Sequence, residues 1–209
     1  MNEDRGKIIR SMVFPFLFVV VIWLVKFYEI IFHYDLTFLG LAPLKTSGLI
    51  GIITSPFLHE NFAHLFANSF PFFILASLLF YFYREIAWRI LVLIWLMTGL
   101  WVWVFARGEY VHIGISGIVY GLASFLFCSG ILRRDSRLLA VTLLVTFIYG
   151  GIVWGIFPQL FPTKNISWES HLMGLLSGAI LAVYYRRAGP QRKQYSWEFE
   201  EDEDDVSES

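Results

Sequence analysis

The chain has 209 residues, of which 57% are hydrophobic and 16% charged, and its mean hydropathy is +0.62. Soluble domains carry roughly 25% charged residues, so the composition excludes a water-soluble globule and points to one polytopic helical membrane domain. The net charge of -1 hides an uneven distribution: the last twelve residues, EFEEDEDDVSES, hold eight of the seventeen acids.

Taken in chain order, residues 1–10 form a short charged N-terminal segment, MNEDRGKIIR, that leads straight into an apolar run without a small-residue cleavage site. It reads as the lead-in to an uncleaved first span rather than as a signal peptide. Apolar runs follow at 11–32, 64–83, 88–106, 115–132, 138–157 and 170–185. They are continuous rather than alternating, which excludes a transmembrane barrel. Each is long enough for a helix, whose backbone groups are satisfied internally in lipid. The predicted fold is therefore all-α: six membrane-spanning helices within a domain over 11–187. A solvated, disordered acidic tail over 188–209 follows.

Basic residues orient the spans. Arg5, Lys7, Arg10, Arg84, Arg89, Arg133, Arg134, Arg137, Arg186, Arg187, Arg192 and Lys193 all fall on one side if there are six crossings. Only Lys26, Lys45, Arg107 and Lys164 fall elsewhere. Both termini are then cytoplasmic. Trp88, Trp101, Trp103, Trp154 and Trp168 stand near predicted span ends, where indole prefers the interface. The connection 33–63 is apolar and broken by Gly40, Pro43, Gly48, Gly51 and Pro56, which predicts a partly embedded structure on the outer side. The single cysteine, Cys128, lies in an apolar run and reads as a small buried hydrophobe; one thiol cannot form an internal disulfide.

Polar residues stand out against this background. The stretch HENFAHLFANS opens the second span and carries His59, His64 and Asn68. A metal-binding H-E-x-x-H places its histidines four apart on one helix face. Here the spacing is five, which on a continuous helix sets the rings about 140° apart, and no acidic third ligand stands out in the later spans. His64 and Asn68 are four apart and share a face. They read either as glue between helices or as polar groups turned into a wet cavity.

HIGISGIVYGLASF opens the fourth span with Gly114, Ser116 and Gly117. A helix starting at Ser116 presents free backbone N–H groups and a positive dipole end beside the hydroxyl. Such donors suit a developing oxyanion; a serine cap with packing glycines is the simpler alternative. From Ser116 to Leu132 is roughly 25 Å at ~1.5 Å per residue, shorter than the ~30 Å of hydrocarbon. With Arg133 and Arg134 at the opposite interface, Ser116 is expected several Å below the outer surface.

The last span, SWESHLMGLLSGAILAVYY, holds His171, Gly174, Gly178 and Ala182. Small residues at every fourth position permit close backbone approach, and Gly117 and Gly121 make the matching stripe on span four. Packing the two stripes together brings His171 beside Ser116, the arrangement a base needs to take a hydroxyl proton.

In these three stretches the chain resembles the rhomboid family of intramembrane serine proteases. The matching residues are HENFAHLFANS, GISG followed by Tyr120, and HLMGLLSG, in the family's order and spacing over about residues 10–187. The resemblance implies Ser116 as nucleophile and His171 as general base and acid. His64, Asn68 and the Ser116 backbone N–H would form the oxyanion site, Tyr120 would orient the His171 ring, and His59 would hold the loop near the site. Gly114, Gly117, Gly174 and Gly178 would support the packing. The Trp-Arg pair found in the first loop of many members is missing, which bears on that loop's lipid contacts and not on the catalytic set.

The implied chemistry is acyl transfer by a Ser-His dyad without metal or organic cofactor. Its partners are the lipid bilayer and single-span membrane proteins cut near the outer end of their spans, with no nucleic acid. A small residue before the cut is implied by the family, and helix-weakening residues near it favour unwinding. The expected setting is a plasma membrane, the inner membrane of a bacterium. No acidic residue is assigned to orient His171, although Glu169 lies close in sequence. The rival from another class is a rhomboid-like protein that binds client helices without cutting them; such members usually lose the serine or histidine, and both are present here. A polar-lined transporter fits less well, because no acid sits centrally in the spans.

Overall fold

The computed structural model describes residues 2–134, 136–148 and 168–188. The described residues are mostly helical and hold no strand, apart from an isolated antiparallel bridge between Leu41 and His112. In chain order the helices are α1 (Asn2–Phe32), α2 (Gly51–Thr54), α3 (Phe62–Phe82), α4 (Ala87–Phe105), α5 (Ser116–Arg133), α6 (Ser136–Ile148) and α7 (Trp168–Tyr184). Four of them, α1, α3, α4 and α5, are long and apolar enough to cross a membrane.

Each helix except α2, which lies in the connection 33–63, overlies a predicted apolar run. α1 starts well before its run, because Lys7 reaches back to Glu3 and Asp4 (3.7 and 3.9 Å) and the acids face the positive end of the helix. Residues 2–10 are thus helical rather than a separate segment. For the fifth run only its first half lies among the described residues; Trp154, Lys164 and the tail from residue 189 lie outside them.

Large apolar side chains fill the middle of the bundle. Ile22 of α1, Leu65, Phe72 and Leu75 of α3, Ile90 and Ile94 of α4, and Leu122 and Phe125 of α5 are fully buried in one cluster. The opposite faces of α1 and α4 leave Phe16, Leu24, Trp88 and Phe105 exposed, as expected where lipid rather than water covers the surface.

The connection between α1 and α3 folds into short helical turns, Thr37–Leu39, Thr46–Ile50 and Ser55–Phe57, around α2. Its backbone groups are satisfied by neighbours, as an apolar loop requires. The indole of Trp95 donates to Ile52 O (2.7 Å) and that of Trp103 to Lys45 O (2.9 Å). Leu41 and His112 exchange backbone bonds (2.9 and 2.8 Å), and Gly114 N donates to Ser55 O (2.8 Å). The loop is thereby tied to α4 and to the segment that leads into Ser116.

Candidate active site

α7 packs more extensively on α5 than any other pair of described helices, and glycine is the reason. A Cβ at Gly174 would fall on the carbonyl oxygen of Gly117, and one at Gly178 on that of Gly121. The interface is tightened by hydroxyls: Ser124 Oγ donates to Leu175 O (2.8 Å), and Ser177 Oγ donates to Gly174 O (2.7 Å) while meeting Thr98 Oγ1 of α4 (3.1 Å). Such pairs are the usual glue between helices in lipid.

This close approach brings His171 to Ser116, with Nε2 3.0 Å from Oγ. Ser116 is the first residue of α5, with Ile115 as its cap, so the hydroxyl sits where backbone N–H groups lack helical acceptors. One turn on, the buried Tyr120 ring stacks on His171, centroids 4.1 Å apart and planes 9° from parallel. The imidazole is held between a flat aromatic face and the serine.

The second span arrives from the side. Asn61 caps α3, its Oδ1 accepting from His64 N (2.8 Å). The half-buried His64 ring lies against Gly114, where a Cβ would come within 2.9 Å of Cε1 and 3.0 Å of Nε2. Gly114 also has φ +105°, a conformation that disfavours any side chain. Two constraints therefore coincide at one residue, two before Ser116. Asn68 is buried, and its Nδ2 donates to His64 O (3.0 Å). That uses one of two amide hydrogens and ties the Asn68 side chain to the His64 backbone along one helix face.

His59 departs from the helical-wheel expectation. It lies outside α3, because Asn61 ends the helix first. Its ring then swings to 5.1 Å from that of His64, edge to face. The ring is buried, with neither nitrogen in a hydrogen bond of normal geometry. Burial pushes its pKa down to about 3.

Three further contacts were not assigned from sequence. Glu169 is buried and accepts from Arg107 Nε (2.6 Å), so its carboxylate faces the α4–α5 connection, and the pairing holds the Arg107 guanidinium above its usual range. Ser170 Oγ meets His112 Nδ1 at 3.5 Å, and burial lowers the His112 pKa against the pull of Glu169. Both tie the first turn of α7 to the segment leading into Ser116. The third is Lys26 with Glu29 (3.1 Å), near the C-terminal end of α1; two charges three apart in an apolar run were the available signal. A cleft is lined by Ser55, Thr98, His112, Gly117 and Ser170, the last two being chain neighbours of Ser116 and His171.

The profile of the Rhomboid domain family matches residues 46–188. An uncharacterized protein of Mycobacterium tuberculosis is 35% identical over 182 residues, covering 84% of this chain and 75% of its own. A protein of Bacillus subtilis named "Putative rhomboid protease" is 27% identical over 140 residues, 63% of this chain and 64% of its own. One of Acanthamoeba polyphaga mimivirus, named "Putative rhomboid protein", is 27% identical over 143 residues, 66% and 77%. With apolar helices of membrane-spanning length and a rhomboid domain over most of its length, the chain is a multi-pass integral membrane protein and belongs to the rhomboid family of intramembrane proteases.

Proposed function

We propose that the protein is a serine endopeptidase that cleaves the transmembrane segments of membrane-anchored proteins near the outer face of the bilayer. The observation that carries this reading is the 3.0 Å contact between His171 Nε2 and Ser116 Oγ, at the start of a helix and under a stacked tyrosine.

In the proposed reaction His171 carries its proton on Nδ1, leaving Nε2 to accept from Ser116. Oγ attacks the peptide carbonyl as its proton passes to Nε2. The resulting oxyanion is stabilised by His64, Asn68 and the Ser116 backbone N–H. The Asn68 amide hydrogen not given to His64 O remains for this purpose. Nε2 then returns the proton to the leaving amine, and the C–N bond breaks. Water, deprotonated by the same imidazole, hydrolyses the acyl-enzyme. Tyr120 and the glycine contacts keep the ring aligned throughout. No step calls on a metal or organic cofactor.

The basic residues support six crossings with both termini cytoplasmic, which puts Ser116 towards the outer face. Bacterial relatives support a bacterial inner membrane. Substrates are single-span proteins whose helix unwinds near the cut, since a helix hides its peptide bonds.

The test is a fluorophosphonate probe on purified protein, with cleavage of a reporter transmembrane substrate in parallel. Ser116→Ala is expected to abolish both labelling and cleavage, and His171→Ala to reduce both severely. Unchanged cleavage by the Ser116→Ala protein would reject the mechanism.

A further inference from the structure

Between Ser11 and Phe32 the first helix carries only two charged residues, Lys26 and Glu29, and both are nearly buried, with side chains 12% and 8% exposed. The Lys26 ammonium donates to Glu29 Oε2 (3.1 Å), to His59 O (2.9 Å) and to Glu60 O (3.1 Å). An ammonium has three donors, and all three are used. Glu29 Oε1 in turn accepts from Leu36 N (3.3 Å).

A buried ion pair is weak evidence of stability, because well-packed apolar residues often serve as well, and ionisable groups within membrane helices are costly. What an apolar side chain could not do here is hold two successive carbonyls. Those carbonyls belong to His59 and Glu60, directly before Asn61, whose side chain receives the backbone N–H of His64 (2.8 Å). A continuous polar path thus runs from Lys26 through the turn to the residue that leans on Gly114. Within this turn Lys26 therefore anchors the His59 backbone, while the His59 ring packs on that of His64.

We infer that Lys26 is a positioning residue for the oxyanion donors: held by Glu29, its ammonium fixes the His59–Glu60 backbone from which α3 and His64 start. This rests on the proposed role of His64.

The test compares fluorophosphonate labelling rates and reporter cleavage of the full-length protein in detergent. Lys26→Met/Glu29→Gln removes both charges together, so that no charge is left unpaired in the interior. This variant is expected to label Ser116 about tenfold more slowly, less than the 10²–10³ of a principal donor, with kcat lowered and KM unchanged. The loss is expected to vanish when His64→Ala is already present, since residues acting through one another are not additive. Trp23→Phe removes a hydrogen bond between α1 and α3, from Trp23 Nε1 to Ser69 Oγ (3.0 Å), and is expected to label at the parent rate.

Parent-rate labelling by the double variant would overturn the inference. So would a tenfold loss that persists beside His64→Ala, or an equal loss in Trp23→Phe. Should the double variant fail to fold, Lys26→Arg decides, because a planar fork cannot aim three donors as an ammonium does. Slower labelling at an unchanged unfolding temperature supports the assignment, and parent-rate labelling rejects it. A Ser116→Ala protein that still labels would instead strike at the protease reading itself.

Discussion

Tyr120 lies flat on His171, the two rings 4.1 Å apart and 9° from parallel. The stack restrains the imidazole's tilt and leaves its edge to reach Ser116. Tyr120→Phe keeps the aromatic face and is expected to retain most activity. Tyr120→Leu removes it, and an aromatic contact of about 0.5–1.5 kcal/mol translates to a loss of roughly 2–10-fold in kcat. Steady-state cleavage of the reporter substrate separates the two. Equal activity in both variants would remove the ring from the mechanism.

Gly174 and Gly178 tolerate no side chain, because each would place a Cβ on a carbonyl of α5. Neither carbonyl belongs to a flexible side chain that could step aside. Gly174→Ala is expected to force the helices apart, costing at least the ~1–3 kcal/mol typical of overpacking. A lowered unfolding temperature together with lost labelling is the expected result. A stable, fully labelled Gly174→Ala protein would contradict the close packing.

His64 and Asn68 are expected to matter for turnover rather than for binding. Loss of a principal oxyanion donor costs about 10²–10³ in kcat. Because Asn68 also holds the His64 carbonyl (3.0 Å), the double Ala variant should lose less than the product of the two single losses. Full activity in both single variants would return the residues to a packing role.

His59 predicts an acid limit to stability. Its pKa falls from 6.5 to about 3 in the folded protein, so between those values the unfolded chain binds the extra proton. Stability therefore rises with pH across this window and is lost as pH falls from 6.5 towards 3, by up to about 1.4 kcal/mol per pH unit for one group. Buried His112, also shifted down by burial, adds in the same direction. His59→Gln should flatten the unfolding profile measured between pH 6.5 and 4. An unchanged slope would show that the His59 imidazole does not govern it.

Arg107 and Glu169 form a pair with one exposed and one buried member, 57% and 6%. Removing the arginine strands a carboxylate in the interior, whereas removing both does not. Arg107→Ala is expected to lower the unfolding temperature, and Arg107→Ala/Glu169→Gln to restore most of it. Equal destabilisation in the single and double variants would mean that the arginine acts instead through its place over the rings of Tyr110 and Trp168, 5.7 and 5.8 Å from their centroids.

The sequence made the helices legible because their apolar runs are continuous and bounded by arginines. It made the approach of Ser116 and His171 legible because Gly117, Gly121, Gly174 and Gly178 repeat every four residues, a spacing with one geometric meaning on packed helices. His59 falls in the connection before the predicted second span, and the 140° separation holds only for a continuous helix; the Asn61 side chain caps α3 two residues later, which leaves the His59 ring free to turn towards His64. The sequence was silent on Lys26. Two charges three apart mark a pair, but only the fold reveals that the carbonyls of residues 59 and 60 complete the ammonium's partners. The Glu169 carboxylate was equally open, since proximity in sequence to His171 did not say that Arg107 would claim it.

The first helix is longer than the membrane is thick. Its 31 residues extend about 46 Å at ~1.5 Å per residue, against ~30 Å of hydrocarbon, so about 16 Å of it stands clear of the lipid or is taken up by tilt. Pro15 lies within it, between the charged first turns and the Ile22 and Trp23 anchor in the bundle, and marks where the helix can bend. A spectroscopic label on Glu3 would report how that end moves against the membrane plane.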